Sequence, residues 1–223
     1  DRFEGYNHER TRILKFIEEQ ALTNVVFITA DIHSTFINNL TYQNDAKGRQ
    51  RPIQSFEIST GAVAYAAPFG PTIMEFAPLG ILTRFVSNFY NRLLRQRQDL
   101  LIYRLANRLL GTYGYSPVGL DGSSIPATLL KGRYLAVNTY GWTEFDIDAQ
   151  TQALTITTFG IDWYDFDDLQ ANAEKTLRRT PEIVSQFRVD VGDKPIAPYD
   201  NRLPQDNRFC GALGFAGLIW PLG

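Results

Sequence analysis

The sequence predicts a mixed α/β fold, because a helical pattern leads directly into a pattern typical of a buried strand. Apolar residues recur at helical spacing over residues 7–20, and residues 24–29 form a continuous run of β-branched and aromatic residues. Such a run predicts a strand buried on both faces, and a helix followed by such a strand is typical of α/β proteins. With 223 residues, 44% of them hydrophobic, the chain has enough apolar material for a sizeable core.

The first predicted elements follow from these patterns in chain order. Asn7 is the expected N-cap of the first helix. The expected buried face of that helix consists of Ile13, Phe16 and Ile17. Two further strands are predicted at residues 36–42 and 52–59, on either side of a polar loop.

The middle of the chain is predicted to change from irregular to regular structure. Glycine, alanine and proline favour irregular structure over residues 61–80. Residues 81–110 place apolar side chains at i, i+4 spacing and therefore predict a long helix. Alternating residues rich in tyrosine, valine, threonine and isoleucine predict a β-hairpin formed by residues 132–147 and 153–161.

A single unit is predicted up to about residue 190, followed by an extended tail over residues 191–223 that is rich in proline and glycine. The last part of this tail, residues 209–223, is apolar throughout but shorter than the ~20 residues needed to span a bilayer. We expect it to lie extended on a surface groove; the alternative is a membrane-touching or partner-docking tail. No transmembrane segment is predicted.

Charge and cysteine content exclude several classes of protein. The net charge of −2 and the pI of about 5.7 argue against nucleic acid as the main partner, because polyanion binders carry a basic excess. The single cysteine, Cys210, excludes an intrachain disulfide and a thiolate metal cage. The chain also lacks a Walker A loop, a dinucleotide-binding glycine motif and the nucleophile elbow of serine hydrolases.

The sequence Asp31-Ile32-His33 is a candidate metal-binding motif at the end of the first predicted strand. In an extended chain, residues i and i+2 point the same way with Cα atoms roughly 6.5 Å apart. Open α/β sheets place their sites at the carboxyl ends of strands, where this pair lies. The imidazole suits zinc, iron or manganese, and the carboxylate suits a harder cation. The alternative is a hydrogen-bonded structural histidine near a strand end.

Several blocks of the chain together carry a family resemblance. Their residues are Asp1, Phe3, Gly5, Tyr6, Arg10, Arg12-Ile13-Leu14 and Ala30-Asp31-Ile32-His33. They resemble the blocks Asp-x-Trp-x-Gly-Tyr, Arg-x-x-(Ile/Leu)-Leu and Gly-Asp-(Ile/Val)-His of the PhoD-like metallophosphatases, the phosphodiesterase and alkaline phosphatase D family. Residues 55–61 resemble the strand that follows the ligand loop of that family, and residues 132–147 resemble its late hairpin. Phe3 and Ala30 depart from the pattern, which has tryptophan and glycine there.

This resemblance implies a binuclear metal site on an α/β/β/α sandwich. By likeness, Asp31 falls on the position that ligates calcium and His33 on the position that ligates iron, while the other ligands of the family lie upstream. The chain is therefore expected to be the C-terminal half of such an enzyme, with residues 1–190 as the C-terminal portion of a metallophosphatase-like domain. An upstream segment or a companion chain is expected to supply the remaining ligands.

Two more residues are candidates for substrate binding. Tyr6 matches a family position and is expected to line the rim of the site. Arg97 interrupts the apolar stripe of the predicted helix at residues 81–110, which carries six arginines and one aspartate. The favoured interpretation is a core helix whose outer face is solvated by arginine; the alternatives are that Arg97 reaches inward to a carboxylate or a phosphate, or that the helix attracts anionic lipid.

The resemblance implies metal-dependent hydrolysis of phosphate esters, with diesters favoured. The alternative is a non-catalytic, phosphatase-like subunit that binds within a larger assembly. A periplasmic or secreted location is expected from the resemblance only.

Overall fold

The computed structural model of the chain describes residues 3–45, 48–63, 67–76 and 88–191, and in these ranges it contains two four-stranded sheets with helices. The mixed α/β class predicted from the sequence is confirmed. The predicted tail at residues 191–223 lies outside the described residues from residue 192 onward. Within the described part of the chain, no helix is long and apolar enough to cross a membrane.

The elements are numbered in chain order. A short 3₁₀ turn at Phe3–Tyr6 precedes the first α-helix. The helices are α1 (Asn7–Glu19), α2 (Phe69–Phe76), α3 (Arg95–Thr112), α4 (Phe166–Ala171) and α5 (Ala173–Leu177). The strands are β1 (Val25–Thr29), β2 (Thr35–Tyr42), β3 (Arg51–Ser59), β4 (Ala127–Gly132), β5 (Leu135–Ala136), β6 (Thr139–Ile147), β7 (Leu154–Asp162) and β8 (Glu182–Val189).

The first sheet has the strand order β1-β3-β2-β5. β1 pairs in parallel with β3, and β2 pairs antiparallel with β3, so the strands predicted at residues 36–42 and 52–59 are confirmed. Because β1 and β3 are parallel, their carboxyl ends meet at one edge of the sheet, where β2 begins. This edge carries the candidate motif Asp31-Ile32-His33.

The second sheet is antiparallel, with the order β4-β8-β7-β6. β6 and β7 form the predicted hairpin, with continuous pairing from Thr139 with Asp162 to Ile147 with Leu154. The predicted first strand is shorter than expected, because Leu135–Ala136 forms β5 and pairs with β2 of the first sheet. The stacked rings of Trp142 and Phe159 lie 5.2 Å apart across this hairpin. Such cross-strand aromatic pairs stabilise the register of a hairpin.

The two sheets pack face to face over a shared apolar core. Ile37 and Ile58 of the first sheet and Ile156 and Phe187 of the second are fully buried in it. The ring of Phe187 meets that of Phe56 edge to face at 6.0 Å. The described chain therefore has a layered arrangement in which the β1–β3–β2 strands separate the second sheet from α1.

α1 packs on the other face of the first sheet. Leu14 and Ile17 are buried there against Tyr42 and Ile53. The predicted buried face is therefore partly wrong, because Ile13 and Phe16 are 39% and 56% exposed. The predicted N-cap is also wrong: Tyr6 occupies that position without a side-chain capping bond, and Asn7 is the first helical residue.

The stretch predicted to be irregular contains the helix α2. Phe69 packs edge to face on Phe36 at 5.3 Å, so tertiary burial outweighs the low helix propensity of glycine and proline. Pro71 lies in the first turn, where a missing backbone N–H costs no helical hydrogen bond. The long helix predicted at residues 81–110 is interrupted at residues 92–94 before α3 begins, and residues 81–87 lie outside the described part.

A buried polar network joins α3 to the segment between β5 and β6. Asp99 accepts hydrogen bonds from Asn138 Nδ2 at 2.8 Å and from the backbone N–H of Val137 at 3.2 Å. Tyr90 donates to Asn138 Oδ1 at 2.8 Å, and Arg95 Nη1 lies 3.6 Å from Asp99 Oδ2. Burial raises the pKa of Asp99, while the hydrogen bonds and Arg95 oppose that rise.

Glu18 links α1 to the first sheet through a charged cluster. Its carboxylate accepts hydrogen bonds from Tyr42 and from Arg51 Nη2, the latter at 2.8 Å. Burial raises the pKa of Glu18, but these hydrogen bonds outweigh burial, so that its pKa is lowered. Burial and the bond to Glu18 raise the pKa of Tyr42 to about 12.

Glu18→Gln is expected to make the stability of the protein less dependent on acid pH. A carboxyl with a lowered pKa stabilises the fold above its ordinary value of 4.5, and this contribution is lost as pH falls through the folded-state value. The difference in free energy of unfolding between wild type and variant should therefore become smaller below about pH 4.5. Urea unfolding from pH 7 to pH 3 measures this difference. Glu9→Gln, at an exposed pair with Arg12, is the control. A gap of constant size over this range would contradict the assignment.

Candidate metal centre

The turn that follows β1 has an unusual backbone. Asp31 and His33 have φ angles of 77° and 54°, in the left-handed region that non-glycine residues rarely adopt. Such residues cost of order 1–3 kcal/mol each and cluster at functional sites. Asp31 is exposed and His33 is half-buried, so that both side chains lie at the surface of the sheet edge.

The backbone at Asp31 and His33 differs from the extended chain that the sequence predicts. Residues i and i+2 point the same way in an extended chain, whereas the structure has two left-handed residues here. The alternation of side chains in a strand therefore does not decide the directions of these two groups. Their role as metal ligands remains a prediction.

Hydrogen bonds fix the strand end from which this turn starts. Thr29 Oγ1 donates to Glu57 Oε1 at 2.7 Å, and the hydroxyls of Thr29 and Ser59 lie 2.8 Å apart. The backbone N–H of Thr60 donates to the carbonyl of Thr29 at 2.9 Å. On the far side of the turn, Ser34 Oγ accepts a bond of 3.0 Å from the backbone N–H of Phe69. The turn is thus held at both ends by buried or half-buried polar contacts.

Glu57 is a carboxylate at this edge that the sequence analysis missed. It is half-buried on β3, opposite Phe27 of β1 and Asn38 of β2. The signal was available in the sequence, because Glu57 and Ser59 alternate with apolar residues in a strand and therefore share one face. Glu57 accepts from Thr29 and so supports the strand end beneath the candidate motif.

The two predicted substrate-binding residues are both exposed. Tyr6 lies in the short turn before α1 and is 68% exposed. Arg97 lies in the first turn of α3 and is also exposed, which agrees with a solvated outer face and not with the alternative of an inward reach. The arginine of this turn that does reach inward is Arg95, whose side chain is 13% exposed. The i, i+4 spacing of Arg95 and Asp99 was the signal that could have identified it.

The described residues do not form a complete metal centre by themselves. Within the described ranges, no group of three or more histidine, cysteine, aspartate or glutamate side chains could hold a metal ion. Asp31 and His33 have the donor chemistry that such a site needs. A pair of oxygen-rich metal sites requires roughly eight ligands in total, so other groups must contribute if metals bind here.

The chain is an α/β protein whose candidate site lies at the carboxyl ends of the parallel strands β1 and β3. This is the usual position of the site in α/β enzymes. Residues 1–108 match the family model described as PhoD-like phosphatase. The resemblance found in the sequence is therefore confirmed over this part of the chain, which includes β1, β3 and the candidate motif. The match supports a phosphatase-type function, and PhoD-like phosphatases are generally metal-dependent. No curated protein and no solved structure matches the chain significantly.

Two substitutions at Asp31 should differ in stability although both remove the carboxylate. Asp31→Gly is expected to be more stable than Asp31→Ala by about 1 kcal/mol, because glycine adopts a φ of 77° without a Cβ penalty. Urea unfolding of both variants measures the difference. Equal stability, or a more stable alanine variant, would show that this residue is not held in the left-handed region.

Removal of the Thr29 hydroxyl should destabilise the protein at the carboxyl end of β1. Thr29→Val leaves the half-buried Glu57 carboxylate without its donor and is expected to lower the free energy of unfolding by about 1–2 kcal/mol. Thr29→Ser retains the hydroxyl and is the matched control, with a smaller loss. The idea of an anchored strand end is refuted if urea unfolding gives the valine variant wild-type stability.

Proposed function

We propose that this chain supplies part of a binuclear metal site in a phosphoester hydrolase that acts on phosphodiesters and phosphomonoesters. The observation that carries the proposal is the PhoD-like phosphatase match over residues 1–108. It is supported by the position of Asp31 and His33 in a left-handed turn at the carboxyl end of a strand.

The proposed ligands of this chain are Asp31 and His33. Asp31 would hold the harder cation, calcium by resemblance, and His33 would hold iron, with zinc or manganese as alternatives suited to imidazole. In such sites, metal ions neutralise charge on the phosphoryl oxygens and make water more acidic. Thr29, Glu57 and Ser59 would keep the ligand-bearing turn in place.

The remaining ligands are proposed to come from an upstream segment or a companion chain. Among the described residues, β1 pairs with β3 on one side and lies at the end of its sheet. Ile28 on β1 is 60% exposed, although the sequence predicted a strand buried on both faces. A further strand beside β1 and parallel to it would bring its own carboxyl end close to Asp31. Ile13 and Phe16 of α1 are apolar surface that an added helix would bury.

Tyr6 and Arg97 are proposed as substrate-binding residues. Their exposure allows both side chains to meet a ligand that arrives from solvent. Arg97 would pair with a phosphate through its guanidinium, the side chain best suited to bidentate contact with phosphate oxygens. Tyr6 would line the rim of the site. A periplasmic or secreted location is proposed on the family resemblance alone.

A non-catalytic phosphatase-like subunit is the second candidate function. The absence of a cluster of three metal-binding side chains within the described ranges favours it. The replacement of the family's glycine by Ala30 points the same way, because it alters the residue that precedes Asp31. Such a subunit would keep the fold and a partner-binding surface without supplying a working site.

The deciding experiment measures metal content and hydrolysis of bis(p-nitrophenyl) phosphate with the gene product extended through its upstream reading frame. The hydrolase proposal predicts bound metal, and a decrease in kcat/KM of about 100-fold or more for Asp31→Asn and for His33→Ala. Asp121→Asn, at an exposed loop position, should keep full activity.

One result would reject the proposed ligands, and another would reject the hydrolase. Full activity in both ligand variants would remove Asp31 and His33 from the site. A folded wild-type protein that contains no metal and hydrolyses no phosphoester would favour the non-catalytic subunit instead.

A further inference from the structure

An apolar groove lies between the two sheets beside β1. Its volume is about 510 Å³, within the usual range of ligand-binding pockets. Its lining comes from β1 and β3 of the first sheet, from β6, β7 and β8 of the second, and from the chain on either side of them. The apolar residues that form its walls include Val26, Ile28, Phe56, Phe145, Leu154 and Val191.

The groove offers almost no charge to an occupant. Among the described residues that line it, Asp190 is the one with a charged side chain, and its carboxylate pairs with Arg188 Nε at 2.7 Å. Large apolar side chains at the groove are left in water: Ile28, Ile147 and Val191 are 60%, 67% and 47% exposed. Burial of such surface is favourable by about 25 cal/mol per Å², so the groove fits an uncharged, apolar ligand.

The chain itself carries an uncharged, apolar segment, and the residues that connect this segment to the described structure start at the groove. The described chain ends at Val191, which is itself part of the groove wall. Residues 209–223 contain no charged side chain and include Phe215, Ile219 and Trp220. The seventeen residues at 192–208 reach at most about 60 Å when fully extended, more than enough to return to the groove. Tethering at this distance gives the segment a high effective concentration, of order millimolar.

We propose that residues 209–223 bind in this groove as an intramolecular apolar ligand. The groove accommodates several large side chains of the segment, which the apolar walls then shield from water together with Ile28 and Ile147. A second copy of the chain is the competing occupant, but it lacks the advantage of the tether. This binding requires no metal and no phosphatase activity, so its tests do not depend on catalysis.

The single cysteine allows a direct test in the full-length chain. Cys210 belongs to the proposed segment, so an additional cysteine at the groove can report its proximity by disulfide formation. Ile28→Cys and Ile147→Cys place a thiol at exposed positions of the groove. Leu177→Cys is the matched control, since Leu177 is 79% exposed on α5, beyond the end of β7 that lies away from the groove.

With oxidised glutathione as the oxidant, the two groove variants should form an intramolecular disulfide with Cys210 at least about 10-fold faster than the Leu177→Cys control. Monomeric disulfide species are separated from dimers on non-reducing gels. Equal rates in all three variants would overturn the proposal. Disulfide-linked dimers in the groove variants would also overturn it, because they would show that a second copy occupies the groove.

A truncation after Arg208 gives a second, independent measurement. Removal of residues 209–223 should uncover the groove and increase the fluorescence of bound 1-anilinonaphthalene-8-sulfonate several-fold, while circular dichroism shows an unchanged fold. Ile28→Asp in the truncated chain should reverse most of that increase. Unchanged dye binding after truncation would contradict the proposal.

Discussion

The parallel pairing of β1 with β3 is the constraint on which the candidate site depends. Its register aligns Thr29 with Ser59, and the side chains of these residues and of Glu57 are joined by hydrogen bonds at the strand ends. The left-handed residues Asp31 and His33 follow directly. β3 is held by α1 on one face and by the second sheet on the other. The position of the candidate ligands is therefore decided by packing that includes residues beyond the family match.

Much of the fold could be predicted because the period of apolar residues reports secondary structure directly. The strands around residues 36–42 and 52–59 and the later hairpin were found in this way. α2 was missed because Gly70 and Pro71 suggest irregular structure, whereas the packing of Phe69 on a distant strand stabilises a helix there. Propensity is local, and burial against residues far away in sequence overrides it.

The candidate site was predictable in residue type but not in geometry. The order of Asp31 and His33 after an apolar strand identified them, yet no sequence pattern reveals that both adopt a positive φ. Arg95 and Arg97 lie in one helical turn, and the carboxylates around Arg95, including Asp162 on β7, decide which of them turns inward. The direction of each arginine side chain depends on residues that are close in space but distant in sequence, and the residue pattern of a single helix does not reveal them.

The position of β1 at the end of its sheet has a consequence for the handling of the protein. In the described part of the chain, its outer backbone groups have no neighbouring strand, and its five residues include neither proline nor lysine, the usual devices that keep sheet edges apart. An uncovered edge of this kind is a template for intermolecular cross-β stacking. Concentrated solutions in which β1 is uncovered should therefore tend to form fibrous precipitate. The colloidal stability of the protein then depends on whatever covers this one strand.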